Sequence, residues 1–147
     1  MNYPALCAKL KEAKFASMSD GQALEAIRAE KVSTKRLVPV VEIKQWAIEN
    51  QIYAPIIVGQ QSPNEQLKLL CVSIAGWIDD AGGRVQNADL DMPAAQVMMS
   101  GLVAFEIASE QQIDDLKALQ WIEVPWIQSN ACQWLDLGHI QSAREMI

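Results

Sequence analysis

The sequence predicts an all-α fold, with one globular domain of about seven to eight short helices over residues 1–147. Three observations predict it. Apolar residues recur at intervals of three and four, residues typical of helix starts stand before those runs, and no two segments show the paired alternation of a hairpin. Half of the residues are apolar and a fifth are charged, which is typical of a globular chain that can bury a core.

The N-terminal third is predicted to hold three helices. The first covers residues 4–14. Ser19 and Gln22 form a capping box, in which each side chain binds a backbone N–H at the start of a helix that runs to residue 30. A proline opens the third helix, over residues 39–50, because the first turn of a helix does not need the missing N–H.

The middle of the chain shows one ambiguous segment and one clear helix. The apolar run 52–58 contains a proline and is either a strand or an irregular buried segment, of which the irregular segment is favoured. Ser62 as a helix cap, followed by Pro63 at the first helical position, predicts the next helix. That helix is predicted to end at Gly82-Gly83.

A helix over residues 94–107 is apolar on nearly every side. Such a helix is either central to a core or covered by a partner chain. It is too short to cross a bilayer, which takes about 20 apolar residues. Gly101 in its middle indicates the close approach of another backbone, since glycine in a helix otherwise destabilises it by about 1 kcal/mol.

The C-terminal part is predicted to hold three more helices. A capping box at Ser109 opens a helix that reaches residue 120. The apolar segment 121–127 is interpreted as a connector. Ser129 is predicted to cap a short helix that Gly138 ends, and a last helix follows close to the C-terminus.

The charge is unevenly distributed along the chain. The net charge is −6; residues 1–50 carry eight basic and six acidic residues, and residues 51–147 carry four basic and twelve acidic residues. An acidic surface repels nucleic acid. An alternative function, a small regulator that binds nucleic acid or a host protein, would therefore use the basic N-terminal third. Its candidate residues are Lys31, Lys35, Arg36 and Lys44.

Motifs for catalysis and for metal or phosphate binding are missing from the sequence. There is one histidine, the three cysteines lie far apart, and no glycine-rich phosphate loop is present. The acidic loop 87–91 lacks the glycine that an EF-hand needs at its sixth position. The spacing of Glu12 and Asp20 does not match that of phage-type lysozymes, so a cell-wall hydrolase is the least favoured function. We predict no enzymatic activity, no cofactor and no metal.

Large apolar residues are the strongest positive signal. Five tryptophans and six methionines in this chain exceed what a single core is expected to hide, and such residues are enriched at the centres of protein interfaces. We therefore expect a homo-oligomer or a docked subunit. The predicted partner-binding residues are Trp121, Ile122, Val124, Trp126 and Ile127 in the connector, and Met98, Met99 and Phe105 in the apolar helix. A Trp126→Asp substitution is predicted to disrupt assembly and to leave the fold helical.

Phrases at the two ends of the chain resemble those of small uncharacterised proteins encoded by tailed bacteriophages. They are Ser-Met-Ser-Asp at 17–20, Ser-Thr-Lys-Arg-Leu at 33–37, Trp-Leu-Asp-Leu-Gly at 134–138 and Ala-Arg at 143–144. The chain departs from that pattern at residues 28–29, where Arg-Ala replaces Leu-Asn. The resemblance implies a structural or assembly protein, a virion component of the tail or head–tail region. Its partners would be other virion or assembly proteins, without a membrane role, in the virion or the host cytoplasm.

Overall fold

The computed structural model describes residues 1–79 and 86–147, and most of these residues are helical. The helices are α1 (Tyr3–Leu10), α2 (Asp20–Ala29), α3 (Val40–Glu49), α4 (Tyr53–Gly59), α5 (Glu65–Ile78), α6 (Pro93–Ala104), α7 (Glu110–Ala118), α8 (Trp126–Ser129) and α9 (Leu137–Met146), with a 3₁₀ helix over Ala13–Phe15. The strands are β1 (Lys31–Lys35), β2 (Val38–Pro39), β3 (Asn87–Ala88) and β4 (Trp121–Pro125). The predicted helical character is confirmed, but the fold is not purely α, because β1 pairs with β4 and β2 with β3.

The chain divides into two compact units, each with a hydrophobic core of its own. Unit 1 comprises Met1–Thr34 and Ile122–Ile147, and unit 2 comprises Lys35–Trp121. Along the chain, unit 2 is therefore an insertion in unit 1. The single domain remains a prediction, and the two units are described one at a time.

Unit 1 is built from the two ends of the chain. Helices α1, α2, α8 and α9 pack around a core whose fully buried members include Leu6, Phe15, Ile27 and Ile140. Arg144 of α9 also stabilises the loop before α2, because its guanidinium donates a hydrogen bond to the carbonyl of Met18 at 2.7 Å.

A buried lysine adds an ionic contact to unit 1. The ammonium of Lys9 lies 2.9 Å from a Glu12 carboxylate oxygen and 2.7 Å from one of Glu30, and 5.5 Å from the ring centre of Trp126. Burial lowers the pKa of Lys9, but the hydrogen bonds to Glu30 and Glu12 outweigh burial and raise the pKa above its ordinary value. Lys9 is therefore charged in the folded unit, and it ties α1 to the end of α2.

Strands β1 and β4 form the longer of the two sheets in the described residues, neither of which the sequence predicted. The N–H of Trp126 donates to the Glu30 carbonyl at 2.8 Å, and the N–H of Arg36 donates to the Gln120 carbonyl at 2.7 Å. Both bonds fit one antiparallel register, which places Thr34 opposite Ile122 as a hydrogen-bonded pair. The two strands are distant in sequence, so no local turn motif could predict their pairing.

Unit 2 packs α3–α7 around the larger core. The indole N–H of Trp46 donates to the Gln112 carbonyl at 3.1 Å and so ties α3 to α7. Residues 52–58, predicted to be irregular, are mostly helical and form α4. Pro55 is compatible with this helix because it lies in the first turn, where backbone N–H groups have no partner within the helix.

Helix starts were predicted best where the chain supplies a capping box. The boxes at Ser19 and Ser109 are confirmed, with both reciprocal hydrogen bonds present. Helix α5, however, is capped by Asn64 rather than by Ser62. The Gly82-Gly83 helix end lies outside the described residues.

Two predictions near the C-terminus were wrong. Ser129 ends α8 and does not cap a helix, and Gly138 lies in the first turn of α9 and does not end one. The start of α9 is fixed instead by a third capping box, in which Asp136 and His139 bind each other's backbone N–H. A histidine at the third helical position is not part of the usual capping-box signature, so the sequence pattern missed it.

Three helices end in a left-handed residue that is not glycine. They are Gln51 after α3 (φ 59°), Glu106 after α6 (φ 57°) and Ala131 after α8 (φ 55°). In each case the next residue donates its N–H to the carbonyl five positions back: Ile52 to Ala47 (2.8 Å), Ile107 to Leu102 (2.9 Å) and Cys132 to Ile127 (2.6 Å). This is the Schellman motif. In all three motifs the residue whose N–H bonds to the carbonyl five positions back is apolar.

Glycine at these positions is expected to stabilise the protein. A side chain in the left-handed region costs about 1–2 kcal/mol. Glycine removes that cost, but it loses more conformational freedom on folding, and this loss reduces the gain. Ala131→Gly is therefore expected to raise the free energy of unfolding by about 0.5–1 kcal/mol in urea denaturation. Ala8→Gly, at an exposed position inside α1, is the control, with an expected loss of about 1 kcal/mol. A loss of stability in Ala131→Gly would contradict the motif.

Helices α4 and α5 approach each other closely at Gly59. A Cβ there would overlap the Cys71 sulfur and lie 3.2 Å from the Cys71 Cβ. Gly101 is approached in the same way by the Leu70 side chain, at 2.9 Å, and not by a backbone as predicted. The Leu70 methyl groups can move away more easily than the Cβ of Cys71 can. Gly59 is therefore the more confined of the two positions.

Gly59→Ala is expected to destabilise unit 2 by about 1–3 kcal/mol, because the added methyl group overpacks the α4–α5 contact. The matched control is Gly76→Ala in α5, where a Cβ would meet nothing within 4 Å. That change is expected to stabilise by up to about 1 kcal/mol through helix propensity. Urea denaturation gives the free energy of unfolding of both variants. The same measurement on the double variant Gly59→Ala with Cys71→Ala shows how much of the loss comes from the overlap with the Cys71 sulfur. Equal effects of the two single changes would show that Gly59 is not confined.

Candidate protein-interaction surface

Helices α5 and α6 pack side by side in unit 2 and leave their outer sides exposed. Each helix buries one stripe in the core, which includes Cys71 and Ile74 of α5 and Met99 and Leu102 of α6. The outer side carries apolar residues too: Leu69 is 64%, Val97 69% and Val72 45% exposed. Three large exposed apolar side chains thus lie on two adjacent helices, an arrangement that can mark an interaction site.

An open groove runs between the two helices. Its floor includes the half-buried side chains of Leu70 and Met98, and exposed residues of both helices line its sides. We call this surface the α5–α6 face. Its exposed members are Gln66, Leu69, Ser73, Pro93, Ala94 and Val97, and Val72 lies beside them on α5 outside the groove.

The side chains that line the groove of the α5–α6 face are uncharged, and Glu65 and Lys68 of α5 lie at its edge, within one turn of Leu69. No charged side chain occurs in α5 after Lys68 or anywhere in α6. The neighbouring helices differ: α3 carries Glu42, Lys44 and Glu49, and α7 carries Glu110, Asp114, Asp115 and Lys117. Depletion of charge with exposed apolar side chains is the composition of an interface centre.

The apolar helix contributes to this face, but through other residues than those predicted. Met99 is buried in the core of unit 2, which corrects its assignment as a partner-binding residue. Met98 is half-buried at the floor of the groove, and Phe105 is half-buried at the C-terminal cap of α6. Val97, which lies on the opposite side of the helix from the core stripe, is the most exposed large residue of α6.

The predicted connector is exposed only in part. Trp126 is only 7% exposed and belongs to the core of unit 1, so the prediction that it contacts a partner is wrong. Ile122, Val124 and Ile127 are half-buried, since β4 turns alternate side chains inward and α8 begins at Trp126. Trp121 is 54% exposed and remains available.

The candidate basic residues are mostly paired with carboxylates of unit 2. Lys35 forms an ion pair with Asp91, Arg36 pairs with Glu42 at 2.9 Å, and Lys44 pairs with Asp79 at 2.7 Å. Lys31 is exposed and belongs to unit 1. Exposed ion pairs are weak, but the adjacent carboxylate reduces the positive potential that a phosphate group would need. These contacts disfavour the nucleic-acid alternative.

The pair of Lys44 and Asp79 includes a tyrosine. The hydroxyl of Tyr53 donates to the Asp79 carboxylate at 2.9 Å, and the Lys44 ammonium lies 5.3 Å from the Tyr53 ring centre. Burial raises the pKa of Asp79, but the hydrogen bonds from Lys44 and Tyr53 outweigh burial and hold the pKa below its ordinary value. Asp79 is therefore ionised at neutral pH and serves to fix α3 and α4 to the end of α5.

Other kinds of site find little support in residues 1–79 and 86–147. No group of three or more His, Cys, Asp or Glu side chains in these ranges is arranged to hold a metal ion. An apolar cavity in the core of unit 2, beside Trp46 and Met99, has a volume of only about 40 Å³, which is far below that of a usual ligand pocket; the larger clefts of about 350–480 Å³ are open to solvent. Over the same ranges no helix is both long enough and apolar enough to cross a membrane.

Sequence reasoning missed Leu69 and Val72, although Leu67, Leu70, Cys71 and Ile74 recur at helical spacing and mark the side of α5 that packs in the core. The available signal was the position of these two residues off that side, in a helix without charge after Lys68. Trp134, which is 86% exposed in unit 1, was missed as well.

Comparison of the chain with protein-family models, curated proteins and solved structures finds no match. The α5–α6 face is therefore the feature from which a function follows.

Proposed function

We propose that this protein is a non-enzymatic structural or assembly component of a tailed bacteriophage and that it acts by protein–protein contact through the α5–α6 face. The observation that carries the proposal is the exposure of Leu69, Val72 and Val97 around a groove that is lined by uncharged side chains. The phrases at the two ends of the chain, which resemble those of phage proteins, support the phage assignment. Other virion or assembly proteins of the tail or head–tail region are the proposed partners.

The energetics of such a contact depend on covering the whole face. Burying one large apolar side chain contributes about 1.5–3 kcal/mol relative to leaving it exposed. Association costs about 4–15 kcal/mol in lost rotational and translational freedom, so three side chains alone do not give a stable complex. The small residues Ser73 and Ala94 let a partner approach the groove closely and cover its floor as well. We expect a partner to bind only if it contacts the exposed side chains Leu69 and Val97 and also fills the groove between them.

The test is sedimentation of a lysate from the native source, followed by peptide mass spectrometry of each fraction. The protein is expected to travel with megadalton particles or assembly intermediates. Val97→Glu is expected to shift it to the light fractions, whereas Val41→Glu, at a position of α3 that is 71% exposed, is expected to leave its sedimentation unchanged. Recovery of the unaltered protein only as a small free species would exclude the structural role.

A further inference from the structure

We infer that the outer edge of strand β1 binds an extended, acidic segment of another protein as an added strand. The inference goes beyond the proposed function and does not depend on the α5–α6 face, because it concerns a different surface. Two observations carry it: the backbone groups that β1 leaves unpaired and the charge of the strand. The first identifies the partner segment as extended, and the second identifies it as acidic.

The pairing of β1 with β4 turns alternate backbone groups of β1 outward. Glu30 and Arg36, at the two ends of β1, bond to the residues that flank β4, and in an antiparallel pair every second residue bonds to the partner strand. The N–H and C=O groups of Lys31, Ser33 and Lys35 therefore point away from β4. Within the described residues this sheet has two strands, so no third strand pairs with these groups there. All three residues are exposed to solvent.

Such an edge is complementary to an extended backbone. Donors and acceptors alternate along β1 at the spacing of a strand, and a segment in the β conformation presents the matching row. A helix does not present it, because its backbone groups bond within the helix. The outer edge of β4 is less suitable, since Pro125, which lies opposite Lys31, has no N–H to donate.

The side chains of the β1 edge favour a partner with carboxylates. Residues 31–35 read Lys-Val-Ser-Thr-Lys and include no acidic residue, in a chain whose net charge is −6. Lys35 is paired with Asp91, whereas among the described residues no carboxylate lies at ion-pair distance from Lys31, which is exposed. An acidic segment is therefore repelled by most of this chain and attracted at β1.

The geometry of an added antiparallel strand places its side chains. The residues of the segment that bond to Lys31, Ser33 and Lys35 have side chains on the same side of the sheet as these three residues. Acidic residues at alternate positions then lie directly opposite the two lysines. The Glu123 carboxylate is on the same side, but on β4, one strand farther from the segment. A second copy of β1 is disfavoured, because antiparallel pairing about Ser33 sets Lys31 against Lys35.

The experiment titrates the isotope-labelled full chain with a synthetic peptide, Val-Glu-Val-Glu-Val-Glu-Val with blocked ends, and records amide NMR spectra. The peptide is expected to shift the amide signals of β1 and to bind with a Kd in about the millimolar range, since few hydrogen bonds offset the freedom that it loses. Methylation of the backbone nitrogen of its central glutamate, whose N–H faces β1, is expected to abolish binding. Methylation of a neighbouring valine, whose N–H faces away, is the matched control and is expected to leave binding nearly unchanged.

Substitutions in the protein test the same edge. Ser33→Pro removes one outward N–H without removing a bond to β4, so it is expected to abolish binding. Ser33→Thr keeps that N–H and is expected to bind as the unaltered chain does. Lys31→Glu is expected to weaken binding roughly three- to tenfold, because carboxylates then lie opposite each other. Lys11→Glu, at an exposed position of unit 1 outside the sheet, is its control. Circular dichroism verifies the fold of each variant.

Several outcomes would overturn the inference. They are an absence of shifts in β1 at millimolar peptide, and binding that survives methylation of the central glutamate, a result that does not depend on the folding of Ser33→Pro. Equal binding of a peptide with lysine in place of glutamate overturns the acidic partner. A chain that dimerises in analytical ultracentrifugation, and becomes monomeric on Ser33→Pro, assigns the edge to a second copy instead. Val97→Glu is expected to leave peptide binding unchanged, so this result and that of the proposed function are separate.

Discussion

Trp126→Asp is expected to unfold unit 1, whereas Trp134→Asp is expected to leave its stability almost unchanged. Trp126 is 7% exposed within the core of unit 1, and Trp134 is 86% exposed. Loss of a buried tryptophan costs about 3–5 kcal/mol, which is a large part of the roughly 5–15 kcal/mol that stabilises a domain. The introduced carboxylate is buried as well, and the nearby Lys9 is already paired with two glutamates.

Urea denaturation followed by circular dichroism, with amide NMR spectra of both variants, measures this difference. In Trp126→Asp, the dispersed signals of unit 1 residues are expected to collapse towards random-coil positions. This result differs from the sequence-based prediction, in which the substitution left the fold helical and affected assembly alone. Equal stability of the two variants would show that Trp126 is not a core residue.

Removal of unit 2 is expected to leave unit 1 folded. The change deletes residues 35–121 and joins Thr34 to Ile122 through Asn-Gly. These two residues are a hydrogen-bonded antiparallel pair, the arrangement that a two-residue type I′ turn closes, and Asn-Gly is the preferred sequence for that turn. Unit 1 also has its own core, with Leu6, Phe15 and Ile27 fully buried. A chain of roughly 60 residues is marginal but sufficient for a domain.

The shortened protein is expected to show helical circular dichroism and a cooperative thermal transition. A join from Thr34 through Asn-Gly to Glu123 is the matched control. It shifts the register by one residue and turns the inward side chains of β4 to the opposite face, so it is expected to abolish folding. If both shortened proteins are unfolded, unit 1 needs unit 2 for stability; if both fold equally well, the β1–β4 register is not what determines the fold of unit 1.

Local chemistry explains which parts of the fold the sequence predicts. Ser19 and Ser109 are confirmed as helix starts because a capping box is complete within four residues. The pairing of β1 with β4 depends on contacts between distant segments, for which the sequence carries no local signal. Helix ends were less predictable where a residue other than glycine adopts the left-handed conformation, as at Gln51, Glu106 and Ala131.

The proposed interaction surface includes part of the helix that the sequence singled out. The uniform apolar character of α6 indicated that one of its sides needs a cover, and the structure exposes Val97 there. Which side faces outward could not be derived from periodicity, because a helix that is apolar all round has no polar side to orient it. Met99 was chosen for its size and residue type, yet it is buried in the core of unit 2. For the same reason the segment around Trp126, rich in large residues, was interpreted as surface rather than core.

The Schellman motifs couple helix ends to the interior of each unit. Ile52 and Cys132 donate the N–H that closes α3 and α8, and both side chains are fully buried. A terminal turn that frays must therefore pull an apolar side chain out of the core at the same time. In most proteins helix termini open first, in small and inexpensive fluctuations. We therefore expect the amide protons at these two ends to exchange with solvent only when the core of their unit opens, so that fraying of the helix end and unfolding of that unit become a single event.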